Sequence, residues 1–501
     1  MFIITYMFFK IIVFILGQSF QKIENSKIQT FFISLSINII FIILIYLLNL
    51  IIFKYYLSSQ FSRLLFLIII LLSTNLLVLF FFLKNSIKNN STNRYRLPLL
   101  LFSLSLLFAG HYLSYLKYDK YKTSFNKPSD KKNLNTISLK DEKRIINLYI
   151  EGLSFDFIFP LISEGKLPNF NWIMKHGAWG KLRSFSPTHR LSHKITYLTG
   201  DYPRKHHLYS LWIKSFSNNY KHNFFLIPKG LLSFLINKSG LTKNIFSPPQ
   251  KFYIKTIFDY FDTYKIKYLK TDFFLEEKSN SSDFLKNQLP VPFDEIKIKD
   301  DNNMINLRKE ILLDDKRLYP IIEALNKKSE YKLFFSYIDG LLEAEQHYYK
   351  YSFPEYFLNV SEDDIYRYGT IIEKYYQYID QYIGKIIINM RTDDLLIINS
   401  TFGLNPVNPI EIIIDKALNR RAISATYENS KEGLIFFFGN GIKENHDIDN
   451  FNIINGFPIY FYYLGLPVPK KSHKNIDIDM FKKEFINENP IIFSYENGAY
   501  K

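Results

Sequence analysis

The stretch Arg144-Ile145-Ile146-Asn147-Leu148-Tyr149-Ile150-Glu151-Gly152-Leu153-Ser154 decides the reading of this chain. An apolar run rich in branched and aromatic side chains suits a strand, and it ends at an acid followed by a glycine, the residue that marks a turn. A helical pattern follows over Asp156 to Glu164. The same alternation recurs downstream. Further strands are predicted at Ile266 to Leu269, Leu333 to Ile338, Leu395 to Asn399 and Gly433 to Phe438. Helices are predicted at Leu191 to Leu198, Ile254 to Asp262, Met304 to Asn326 and Glu362 to Met390. Short apolar runs alternating with helices predict an α/β domain with a mostly parallel sheet flanked by helices. Ligands of such sheets gather beyond the carboxyl ends of the strands. The residues that follow the strands therefore matter most: Glu151-Gly152, Asp339-Gly340 and Ser400-Thr401-Phe402-Gly403.

Upstream the pattern is different. Ile33 to Phe53, Leu64 to Leu83 and Leu97 to Leu116 carry no Asp, Glu, Lys or Arg over 21, 20 and 20 residues. Each is long enough to cross a hydrocarbon core of about 30 Å as a helix. Residues 2 to 17 form a fourth apolar stretch, broken by Lys10, and no small-residue cleavage site follows it as a signal peptide would require. Residues 1–116 are thus expected to form a transmembrane region of three to four helices, making the lipid bilayer a partner. Residues 117–142 follow as a charged linker and 143–501 as the α/β domain, with an insertion at about 211–330. Lys and Arg are balanced between the two sets of short loops, so the rule that reads orientation from them does not decide the side.

Composition narrows the classes further. At roughly 150 residues per domain, a chain of 501 residues holds about three units. With 47% apolar and 22% charged residues it is neither disordered nor collagenous. It has no cysteine, which excludes disulfides, thiolate zinc sites and a cysteine nucleophile. A net charge of +16 with 18% aromatic residues could suggest base stacking on a basic surface. Lys, Asn, Ile, Phe and Tyr are all inflated together, as an A- and T-rich gene would produce, and nucleic acid is not an expected partner.

Several blocks occur in a telling order after Glu151-Gly152. They are Gly165-Lys166-Leu167-Pro168-Asn169-Phe170, Ser186-Pro187-Thr188, Gly200-Asp201-Tyr202-Pro203, Gly340 to His347, Ile397 to Gly403, and Leu464-Gly465-Leu466-Pro467. Together they resemble the alkaline phosphatase superfamily, most nearly its type I phosphodiesterase/nucleotide pyrophosphatase branch, over about 144 to 470. The resemblance implies an alkaline-phosphatase-like fold and a hydrolase of phosphoric esters. It also implies two divalent metals, usually zinc, that activate a Thr or Ser nucleophile, and a domain facing outside the cytoplasm.

Against that pattern most of the implied site is substituted. The nucleophile position falls on Arg190, flanked by Thr188 and Ser192, either of which a register slip would bring into place. The metal positions fall on Glu151, Glu343, His347, Thr401, Phe402 and Tyr427, or on Asn429 if the last loop is shorter. Arginine stays protonated and repels a divalent ion, and Phe402 offers no donor. The expectation is no cofactor, or at most one divalent metal such as zinc at Glu343, His347 and Tyr427. The chain then reads as a membrane-anchored pseudoenzyme that binds a phosphorylated small molecule or lipid head group. The alternative is an active phosphodiesterase or phospho-head-group transferase on envelope components. Arg190 is expected within salt-bridge distance of Glu151 or Glu343, supplying the charge that the metals supply elsewhere. For topology, a reporter fused after Lys501 is expected to be active outside the cytoplasm, and activity confined to the cytoplasm would refute that orientation.

Overall fold

The computed structural model describes residues 143–206 except 187, 212–215, 243–246, 255–271, 290, 293, 302–327, 329–357, 360–408, 412, 423–427, 430 and 432–494. The predicted membrane spans and the linker lie outside these. Among the described residues no helix is long and apolar enough to cross a membrane. The chain divides into two compact units, Met1–Asp130 with Trp212–Ser247, and Lys131–Leu211 with Pro248–Lys501. In the first unit the described elements are the paired strands β3 (Trp212–Ser215) and β4 (Lys243–Phe246).

The second unit is built on a seven-stranded sheet. Its strands are β1 (Arg144–Ile150), β2 (Ala178–Arg183), β5 (Tyr268–Lys270), β6 (Leu333–Ile338), β7 (Asp394–Ser400), β10 (Glu432–Gly439) and β11 (His446–Asn452), and β8 (Asn405–Pro406) pairs separately with β9 (Ala425–Thr426). The order across the sheet is β11-β2-β10-β7-β1-β6-β5. β1 runs parallel to β6 and β7, β5 parallel to β6 and β11 parallel to β2, while β10 is antiparallel to both its neighbours. The helices are α1 (Phe155–Ser163), α2 (Pro168–His176), α3 (Arg190–Thr199), α4 (Pro203–His206), α5 (Ile257–Thr263), α6 (Asn302–Asn326), α7 (Gly340–Ser352), α8 (Glu362–Tyr368), α9 (Ile371–Asn389), α10 (Gly456–Tyr463) and α11 (Lys483–Glu488).

Every residue of β1, β6 and β7 is buried, as parallel strands covered on both faces require. Alternation along β1 sorts its side chains. Ile146, Leu148 and Ile150 join the core that includes Phe157 of α1, Phe170 of α2, Leu341 of α7 and Ile379 of α9. Asn147 and Tyr149 point the other way. Tyr197 of α3 and Tyr460 of α10 donate hydrogen bonds to Asn147 Oδ1 at 3.1 and 2.8 Å, and Asn147 Nδ2 donates to Asn399 of β7 at 3.1 Å. The sheet therefore carries a polar seam on the α3 side that fixes this helix against β1 and β7.

The predicted central strands stand close to where they were read. β2 and β11, at one edge of the sheet, are additional. β2 is interrupted by Gly180, where a Cβ would lie 2.4 Å from the carbonyl oxygen of Ile448 in β11, so the glycine that weakens the strand pattern is what lets the two backbones approach. The single helix predicted from Glu362 is broken at Gly369-Thr370 into α8 and α9. Inside the segment read as an insertion, β5 forms the other sheet edge and α6 packs on β6 and α7.

At the amino end of the sheet, Arg144 of β1 and Asp394 of β7 form a buried bidentate pair, 1% and 0% exposed, with Nε to Oδ1 at 2.8 Å. Removing one partner of such a pair strands a buried charge and costs about 3–5 kcal/mol. Asp394→Ala is expected to lower the thermal midpoint accordingly, and a second change, Arg144→Leu, to recover part of that loss.

Candidate functional site

Parallel pairing sets the geometry of the carboxyl edge. Ile150 is in register with Ile338, and Tyr149 with Asn399. One or two residues further, the three chains leave the sheet as Glu151, Asp339 and Thr401, side by side. Glu151 continues the Asn147-Tyr149 alternation toward α3, and its backbone N–H still donates to Ile338 O at 2.9 Å. Gly152, at φ +97°, turns the chain away into α1, which Ser154 caps through the N–H of Asp156.

Arg190 opens α3 directly above these strand ends. Its Nε donates to Glu151 Oε2, and Nη2 donates to Asp339 Oδ2 and to the Tyr337 hydroxyl, each at 3.1 Å. Glu151 is fully buried, whereas the Arg190 side chain is 39% exposed. The guanidinium thus neutralises a buried carboxylate on one edge and faces outward on the other. The expected ion pair with Glu151 is present. The second carboxylate on Arg190 is Asp339 at the strand end, where Glu343 was read. Glu343 stands a turn along α7 and its Oε1 lies 3.2 Å from His347 Nε2. Its place after β6, as Glu151 follows β1, put Asp339 at the strand ends without telling which acid of the segment meets Arg190.

A second shell of charge surrounds Asp339. Arg317 of α6 donates to its Oδ1 and, at 2.8 Å, to Asp314. Burial pushes the Asp339 carboxyl up, but Arg317 and Arg190 outweigh it and hold it below the usual carboxylate range. Asp314, buried, accepts from Gly340 N at 3.0 Å and from the Tyr375 hydroxyl at 2.6 Å. Burial pushes Asp314 up to about 6 and the neighbouring Glu310 to about 8, the latter aided by Asp339 and Asp314. One turn into α3, the Lys194 ammonium lies 3.1 Å from the centre of the Tyr337 ring, and burial brings its pKa down to about 7.

The other predicted positions are also close to the strand ends. Thr401 Oγ1 is 2.7 Å from the Tyr149 hydroxyl. Phe402 is fully buried, its ring centre 5.1 Å from that of Tyr427 and 6.2 Å from that of His193. Thr188 donates its hydroxyl to Ser430 O, and Ser192 is buried in the first turn of α3. Neither caps α3, whose N-cap is His189. Asn429 lies outside the described residues. Glu345, which reads as a solvated residue beside Glu343, is 1% exposed. It falls on the stripe of α7 that buries Leu341, Leu342 and Tyr348. Among the described residues no group of three or more His, Asp or Glu side chains is placed to hold a metal ion.

Arg190→Met would leave Glu151 buried without its counter-charge. The expected loss is about 3 kcal/mol near neutral pH, the lower end for a buried pair because Arg190 is partly exposed. Thermal midpoints of the parent and the variant, compared at neutral pH, check that loss.

Comparison with known proteins places this arrangement. Two solved structures of ectonucleotide pyrophosphatase / phosphodiesterase 5 are similar to the chain. The human protein is 10% identical, with a TM-score of 0.39, over 69% of this chain and 99% of that one. An inactive variant of the murine protein in complex with AMP is 11% identical, with a TM-score of 0.38, over 65% and 96%. No curated protein matches the chain. Residues 145–447 match the family described as type I phosphodiesterase / nucleotide pyrophosphatase. That span contains every strand of the sheet up to β10 and all the site residues above, and the chain belongs to the type I phosphodiesterase / nucleotide pyrophosphatase family.

Proposed function

We propose that this phosphodiesterase-family domain binds a phosphorylated ligand through Arg190 in place of hydrolysing one with two metals. The observation that carries the reading is the position of the guanidinium. Arg190 lies between the strand-end carboxylates Glu151 and Asp339, the place where a cation would otherwise be needed to offset two acids. A two-metal centre needs about four nitrogen or oxygen donors per zinc at roughly 2 Å. The residues present do not fit one, since a permanent cation fills the space between the acids, Phe402 has no donor atom and Thr401 is engaged with Tyr149. Arg190 is held by two of its three nitrogens, and its open edge is suited to a phosphate oxygen pair, the planar fork being matched to such anions. Glu151 and Asp339 supply the rigidity, because a guanidinium fixed on both sides loses little freedom when an anion arrives.

The apolar runs of 1–116 support a second part of the proposal, that the domain is anchored in a bilayer by three to four helices and faces away from the cytoplasm. An anchored domain meets ligands at the membrane surface, which favours a phosphorylated head group or a phosphorylated small molecule as the ligand.

Metal content, turnover and binding of the purified full chain test the first part. Expected are fewer than two metal ions per chain by mass spectrometry, and hydrolysis of bis-p-nitrophenyl phosphate no faster than by Arg190→Ala. That diester should still bind, and the Arg190→Ala variant should bind it on the order of tenfold more weakly, as loss of a charge-assisted hydrogen bond implies. Two zinc ions per chain, or turnover abolished by a chelator, would instead establish an active hydrolase or head-group transferase.

A further inference from the structure

Beneath the turn that carries Glu151 lies a carboxyl group with no counter-ion among the described residues. Glu345 of α7 is 1% exposed. Its Oε1 accepts a hydrogen bond from the Tyr376 hydroxyl at 3.1 Å, and the same phenol oxygen accepts the backbone N–H of Ser154 at 3.0 Å. Its Oε2 has no hydrogen-bond partner among the described residues and rests against Gly152, where a Cβ would come within 2.7 Å of it. Both ends of the Glu151–Ser154 turn therefore bear on one side chain, Gly152 through direct contact and Ser154 through Tyr376. The titratable groups facing Glu345 are Tyr376 from α9, Asp156 from α1 and Tyr349 on its own helix. None is a cation. A carboxylate buried in such surroundings is costly and keeps its proton, and burial does hold Glu345 well above the usual carboxylate range.

We propose that Glu345 is a positioning residue: its carboxyl, wedged under Gly152 and tied to Tyr376, sets the Glu151–Ser154 turn and thereby the carboxylate that aims Arg190 at an anion. The proposal rests on the anion-binding reading of Arg190.

The test uses the purified full chain and three variants: Glu345→Gln, which copies the neutral acid, Glu345→Asp, which withdraws the carboxyl by one methylene, and Arg190→Met. The probe is bis-p-nitrophenyl phosphate, a monoanion throughout about pH 5 to 9. At about pH 6 the Gln variant should bind the probe as the parent does, and the Asp variant on the order of fivefold more weakly, near 1 kcal/mol. Without probe the Asp variant should have a lower thermal midpoint than the parent and the Gln variant. A Gln variant as impaired as the Asp variant, or an Asp variant that binds as the parent does, would overturn the proposal. If the parent binds no probe, the anion-binding reading fails and the midpoints decide alone. A loss caused by Glu345→Asp that disappears in the Arg190→Met background upholds the coupling of turn and arginine, and an unchanged loss refutes it.

Discussion

The parallel pairing of β1 with β6 and β7 is the constraint from which the rest follows. In-register parallel strands end together, so whatever residue follows each strand is delivered to the same place. Here that brings Glu151, Asp339 and Thr401 into one row at the carboxyl edge. Two adjacent acids, one of them fully buried, call for a cation beside them. Arg190 meets that requirement from the first residue of α3, and the polar seam of Asn147, Tyr197 and Tyr460 holds α3 where its side chain can reach. Fold and site are therefore coupled: the hydrogen bonds that dock α3 on the sheet also aim the guanidinium.

Charge around the site is graded from inside to outside. Arg190 and Arg317 both grip Asp339, which keeps that carboxyl ionised. Asp314 and Glu310, further into the α6 side, are pushed up by burial and by the nearby Asp339. Burial also holds Glu345 well above the usual carboxylate range. Acids of similar chemistry thus sit in different surroundings, Asp339 held by two arginines, Asp314 by Arg317, and Glu345 beside no cation among the described residues. Arg190, paired with Glu151 and Asp339, is the partly exposed arginine of the set.

Much of this was legible in the sequence, for local reasons. The central strands are the most apolar runs of the domain, because burial on both faces excludes polar residues, and their boundaries could be read within a residue or two. The order of the glycine and proline blocks pointed to the family. The pairing of Arg190 with Glu151 followed from the resemblance, which set Arg190 beside the strand-end acids, and from the need to balance their charge. The edge strands β2 and β11 were less visible, since one carries Gly180 for a close backbone approach and the other alternates exposed polar residues.

What the sequence could not determine is which acid of a helix-opening segment faces the site. Asp339, Glu343 and Glu345 lie within seven residues of one another, and composition treats them alike. The register of β6 against β1 selects Asp339 for Arg190, the turn of α7 gives Glu343 to His347, and the buried stripe of the same helix turns Glu345 inward against Gly152. Those assignments depend on strand register and helix phase relative to partners far away in the chain, with Arg190 149 residues from Asp339. Local pattern supplied the elements and the residue types; only the packed sheet decided which carboxyl meets which cation, because a salt bridge is set by distance in space and not along the chain.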